Sequence, residues 1–156
     1  MPDGAVESQA IDLDAGLLLE DRGTRLAWHS SPEELRRLTR PDFCVAPGEH
    51  PQTLVLAWND RVFGGLPCQV TTAFEPGRED LRGVRLSLQY PEAVPSMPAA
   101  FRWLGKHLEG CFGRPMYLQD DGEQGEERWD IGSVALRHEY CLSMAGGHYL
   151  FIFLRG

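Results

Sequence analysis

The 156-residue sequence lacks the short motifs that would announce a chemistry. It has no G-x-G-x-x-G, no G-x-x-x-x-G-K-[ST] phosphate loop, no H-E-x-x-H and no G-x-S-x-G. Those absences argue against nucleotide-binding, zincin and α/β-hydrolase readings, and no metal or cofactor is expected. The four cysteines, Cys44, Cys68, Cys111 and Cys141, stand far apart, so there is no C-x-x-C metal or redox pair. Reduced, mostly buried thiols are expected, as in a cytosolic protein, with a disulfide in an oxidising compartment as the alternative. Long apolar runs are missing too. The longest, Tyr149 to Leu154, falls far short of the roughly 20 residues that span a bilayer. The first residues, MPDGAVESQAIDLD, show neither the basic start nor the apolar centre of a secretory signal. A cytoplasmic protein with no membrane partner is therefore expected.

Positive charge is scarce. Fifteen Lys and Arg against 23 Asp and Glu give a formal net charge of -8. Phosphates repel such a surface, which disfavours nucleic acid as a partner and favours a basic protein. What the chain has is a globular composition, 42% hydrophobic and 24% charged, in a length suited to one core. Residues 1–10 are polar and expected to be flexible; 11–156 are read as a single domain.

The clearest helix is Ser96 to Gly113. Met97, Phe101, Leu104, Leu108 and Phe112 fall on one stripe, Ser96 is placed to cap the start, and Gly113 with Pro115 ends it. A shorter helix follows Ser31, with Pro32 in its first turn, Glu34 completing a capping box, and Leu35 and Leu38 as apolar anchors. Leu17–Leu19 and Thr24–Trp28 flank a turn and read as a hairpin. Residues 41–52, rich in proline, read as a loop. Strands are expected at Leu54–Trp58, Cys68–Phe74 and Val84–Tyr90, the last alternating apolar and polar residues throughout. Met116–Leu118, Trp129–Leu142 and His148–Leu154 read as three more. Gly132-Ser133 interrupts the second with a bulge or break, and Ala145-Gly146-Gly147 turns into the third. His148–Leu154 is apolar on both faces and so is expected to be central, or covered by a partner such as a second copy in a homodimer. The order ββ-α-βββ-α-βββ predicts an α+β two-layer sandwich, a mainly antiparallel sheet with both helices on one face.

Three features invite a functional reading. Asp120–Asp130, DDGEQGEERWD, reads as an exposed acidic loop. Its Asp120, Asp121, Glu123, Glu126, Glu127 and Asp130 form a docking site for a basic partner, with Trp129 as an aromatic anchor. The same stretch lacks the ligand spacing of a calcium loop. His138 and His148, on strands joined by a tight turn, form with Glu139 the candidate acid/base group of an alternative enzymatic or small-molecule-binding function, although Glu139 alternates to the opposite face. The Gly64-Gly65-Leu66-Pro67 turn offers backbone angles that other residues avoid.

The Phe63–Pro67 turn FGGLP, the V-x-L-x-L strand at Val84–Leu88 and the amphipathic helix ending in Gly113-Arg114-Pro115 together resemble small cytoplasmic bacterial proteins of uncharacterised or immunity type. The resemblance implies a non-enzymatic module that binds and blocks a basic, toxin-like effector. It carries over no site residues.

Overall fold

Inward-facing apolar residues at every second position assemble most of this chain into antiparallel strands. A computed structural model describes residues 11–45, 53–88, 93–143 and 147–156. A hairpin of β1 (Gly16–Leu19) and β2 (Thr24–Ala27) precedes α1 (Pro32–Thr39). Then come β3 (Phe43–Val45), β4 (Leu54–Val62), β5 (Leu66–Phe74) and β6 (Gly83–Leu88). After α2 (Met97–Phe112) follow β7 (Tyr117–Asp120), β8 (Gln124–Ile131), β9 (Val134–Cys141) and β10 (Gly147–Leu154). The fold is α+β, with eight strands in one antiparallel sheet of order β3-β4-β5-β6-β10-β9-β8-β7.

Each half of the chain carries one strand more than the sequence pattern predicts. The segment read as a proline-rich loop contains β3, whose residues are all exposed and so show no alternation. Residues 46–52, with His50, lie outside the described residues, as do residues 1–10, Gln89, Tyr90, Ala145 and Gly146. The expected acidic loop is largely β8. Its inward positions include Gly125 and Glu127, which hide the apolar alternation. Gly132-Ser133 is the break of the two alternatives, not a bulge: it is the turn between β8 and β9, with Ile131 paired to Val134 and Gly132 at φ 60°. Among the cysteines, only Cys68 is buried; Cys44 is exposed, and no disulfide joins the four.

Both helices and the hairpin cover one face of the sheet. α2 packs on β8, β9 and β10, while β1 packs on β4. Phe101, Leu104 and Leu108 of α2 are buried, and Leu104 and Leu108 join Leu17, Leu26, Leu56, Trp58 and Ile152 in one core cluster. Ser96 Oγ accepts from Ala99 N–H at 3.3 Å, and Gly113 N–H donates to Glu109 O at 2.8 Å. In α1, Ser31 Oγ accepts from Glu34 N–H at 3.2 Å and its hydroxyl donates to Glu34 Oε1 at 3.1 Å. Leu35 anchors this helix, but Leu38 is exposed; Thr39 takes the second inward place and accepts from Trp58 Nε1 at 2.9 Å.

The hairpin is stitched to the sheet by polar contacts. Arg22 Nη1 donates to buried Asp60 at 2.8 Å and to Asn59 O at 2.9 Å; its Nη2 donates to Asp42 at 2.7 Å. The Gly64-Gly65 turn joins β4 to β5, and Phe63, Gly64 and Gly65 all have positive φ. The Gly64 and Gly65 N–H groups converge as a nest on the Glu20 carboxylate at 2.8 and 2.7 Å, so this turn is a clasp for the hairpin. Arg22→Ala leaves Asp60 as a buried charge without its guanidinium. It is expected to lower stability by about 3 kcal/mol in urea denaturation, since removing one partner of a buried pair strands the other. A loss below about 1 kcal/mol would place this pair with weak surface ion pairs.

Candidate functional site

Antiparallel pairing of β8, β9 and β10 brings three titratable side chains together beneath α2. Glu127 lies directly opposite His138, and His138 opposite Leu150; His148 is on the same inward face, one inward position before Leu150. Glu127 Oε2 is 2.9 Å from His138 Nδ1, and His138 Nε2 is hydrogen-bonded to His148 Nε2. Phe101 of α2 stacks on the His138 ring with centroids 4.4 Å apart. A Cβ on Gly105 would stand 2.8 Å from Glu127 Oε1, so any other residue there would push the carboxyl away from its present place against the helix.

Burial sets the protonation of this chain. It pushes the Glu127 carboxyl up to about 7, with the charges of Glu109 and Asp120 adding to the effect. It holds His138 down at about 3, and His148 at about 3 with His138 contributing. Both imidazoles are therefore neutral near pH 7. Two arrangements satisfy the chain. Either the protonated Glu127 donates to His138 Nδ1 and His138 Nε2–H donates to His148, or His148 Nε2–H donates to His138 and His138 Nδ1–H donates to a Glu127 carboxylate. Going from the first to the second moves the Glu127 proton to His138 Nδ1 and the His138 Nε2 proton to His148 Nε2, and His148 must then release its Nδ1 proton to stay neutral.

A second polar group lies beside it. Asp120 Oδ1 accepts from the Tyr140 hydroxyl at 2.5 Å and from Gly122 N–H at 3.0 Å, and Oδ2 accepts from Arg102 Nε at 3.2 Å. Burial works to raise the Asp120 carboxyl, but these donors outweigh it and hold the group below its ordinary range. Burial, reinforced by Asp120, pushes the Tyr140 phenol up to about 12.

The residues expected to form one acidic docking loop divide between two faces. Trp129 is only 2% exposed, and its Nε1 donates to Gly113 O at 2.8 Å, so it is a core residue rather than a surface anchor. Glu127 is buried and cannot meet a partner, which corrects the expectation that it is a surface acid. Asp120 is largely committed to Tyr140 and Arg102. Asp121 Oδ1 accepts from the N–H groups of Glu123 and Gln124 at 2.9 and 2.8 Å, so it fastens the turn. Glu123 is exposed. Glu126 and Asp130 lie on the open face, Glu126 2.9 Å from Arg128 and Asp130 3.6 Å from Arg155. Alternation along β8 causes this division, because odd positions face the helix and even positions face outward. Among the described residues, no group of three or more His, Cys, Asp or Glu is placed to hold a metal ion.

The open face bears a pocket of 360 Å³ that sequence reasoning did not single out. Gln119, Gln124, Glu126, Glu139, Cys141 and Tyr149 line it. Glu139 points away from His138, as alternation requires, and its Oε2 lies 3.4 Å from Arg137 Nε. Reading β8 as a strand would have exposed the pocket, since Gln119, Glu126, Glu139 and Tyr149 then form one transverse row. Ser143 hydrogen-bonds the Cys141 thiol at 3.0 Å and draws it below its ordinary pKa.

No family model and no curated protein matches the chain. Among solved structures it is similar to a DUF4309 family protein (YjgB) from Bacillus subtilis subsp. subtilis str. 168. The two are 9% identical, over 81% of this chain and 79% of that one, with a TM-score of 0.46. No helix in the described residues is long and apolar enough to cross a membrane.

Proposed function

We propose that this chain is a non-enzymatic protein-binding module of immunity type that engages a basic, toxin-like effector in the cytoplasm. The supporting observation is the open-face pocket where Glu126 and Glu139 stand beside Tyr149, next to the acidic turn at Asp121 and Glu123. A guanidinium or ammonium entering there meets two carboxylates and an aromatic body. Arg128 and Arg137 now sit against those carboxylates, but exposed pairs of this kind contribute only about 0–1 kcal/mol, so exchange for a partner's cation costs little. The net charge of -8 adds long-range attraction, which raises association rate more than affinity.

The double variant Glu126→Lys, Glu139→Lys tests this reading. Basic proteins captured from source-cell lysate by the native chain at low salt are expected to be lost both with the variant and at high salt, while the melting temperature stays unchanged. Equal recovery of the same proteins by native and variant chains removes the pocket from the function.

The aligned Glu127–His138–His148 chain supports a second reading, an acid/base centre for a small molecule. His148, half-buried, is the member closest to solvent. A compound that raises the melting temperature of the native chain but not of His148→Ala would favour this reading over the first.

A further inference from the structure

The geometry points to β7 as a docking edge, where an extended segment of the cationic partner adds to the sheet as a further strand. This inference rests on the reading of an acidic face that receives a basic protein. β7 lies at one end of the eight-stranded sheet, and every one of its residues is exposed. Met116, Tyr117 and Leu118 form a consecutive apolar run at 66%, 40% and 60% exposure. Folded proteins commonly guard such an edge with lysine, proline or a bulge, and Tyr117–Asp120 contains neither proline nor lysine.

Register fixes what the edge offers. Asp121 N–H bonds Gln124 O at the turn, and Asp120, Gln119, Leu118 and Tyr117 then pair in order with Gly125, Glu126, Glu127 and Arg128. Hydrogen-bonded and non-bonded pairs alternate in an antiparallel ladder, so the N–H and C=O groups of Leu118 and Asp120 point away from β8. An added strand finds its main-chain partners there.

Side chains of that strand fall alternately on two surfaces. On the helix side they meet Leu118, with Asp120 already held by Arg102 and Tyr140, and are best apolar beside Leu118. On the open side they meet Gln119 and Tyr117, with Glu126 one strand further in, and are best basic. Tyr117 already receives one guanidinium, that of Arg128, at 5.1 Å from its ring centre. Asp121 and Glu123 stand at the end of the edge. The partner segment therefore alternates apolar and basic residues, with main-chain bonds supplying affinity and alternate side chains supplying specificity.

The probe is a synthetic peptide of alternating leucine and arginine, about six residues long to match a typical strand. Titration of the native chain is followed by calorimetry and amide hydrogen exchange. Binding is expected, with exchange slowed at Leu118 and Asp120. Leu118→Pro removes an outward N–H without breaking the β7–β8 ladder, and is expected to weaken binding at least about tenfold. A peptide N-methylated on its edge-facing amides is expected to lose affinity similarly, with no change to the protein. Undiminished binding to Leu118→Pro and of the methylated peptide, combined with loss on Glu126→Lys, overturns strand addition and leaves the acidic pocket standing. Loss with Leu118→Pro but not with Glu126→Lys supports the edge and removes the pocket. Absence of any binding to the native chain overturns both. A concentration-dependent doubling of mass without peptide, abolished by Leu118→Pro, overturns the proposal by making a second copy the occupant.

Discussion

Glu127→Lys is expected to cost about 4 kcal/mol or more and leave the chain largely unfolded at room temperature. Glu127 reads as a surface acid in the sequence, where such a reversal would be harmless. In the fold its carboxyl lies against Gly105, with no room even for a methyl group on the helix backbone. A longer side chain must displace α2 or turn back through the sheet. An ammonium at this place would also lack the carboxylate that His138 Nδ1 now faces, and burying an unpaired charge costs several kcal/mol. Glu127→Gln preserves the shape and a hydrogen bond to His138, so its cost is expected near 1 kcal/mol. Urea denaturation of the two variants separates the explanations. Comparable losses would mean that the charge is immaterial, and native-like stability of Glu127→Lys would place this side chain outside the core.

The same cluster predicts that stability peaks near neutral pH and falls on acidification. In the unfolded chain the two imidazoles take up protons below about 6.5, their ordinary value; in the fold His138 and His148 resist protonation until about pH 3. Their contribution is present above 6.5 and is lost as pH falls, at about 1.4 kcal/mol per unit for each imidazole. Glu127 works in the opposite direction. Its folded value is raised from 4.5 to about 7, so its contribution is full below 4.5 and disappears as pH rises through 7. Between pH 4.5 and 6.5 two imidazoles oppose one carboxyl, and the net slope favours the unfolded chain by about one proton. Denaturation midpoints at pH 5, 6, 7 and 8 should show the maximum near 7. The double variant His138→Gln, His148→Gln should flatten the acid limb. A native profile that is level from pH 7 to 5 would mean that the imidazoles stay charged and paired in the fold.

The sequence was most readable where one physical cause acted alone. α2 shows its stripe, cap and terminating glycine because burial and capping agree over its whole length. β6 and the inward side of β9 alternate because their outer face meets water. β8 was obscured by its own function in the fold: Gly125 makes room for the Tyr140 ring and Glu127 serves His138, so polar and small residues occupy inward positions. Once that strand was missed, the Glu127–His138 pair could not be found, because Glu127 is eleven residues away and meets His138 only through register. The pairing of His138 with His148 was legible, since few residues separate their strands in the sequence. β3 carries no burial signal and was not readable at all.

β10 links two groups of strands that otherwise have no hydrogen-bonded border. On one side of it are β3 to β6, and on the other β7 to β9. Until Gly147–Leu154 docks, β6 and β9 each keep an open flank. A partly folded chain in which β10 has not docked exposes both flanks, and capture by a chaperone or by another chain then competes with closure. Substitutions that weaken Leu150 or Ile152 should therefore lower the yield of native protein in the cell more than their effect on the finished fold suggests.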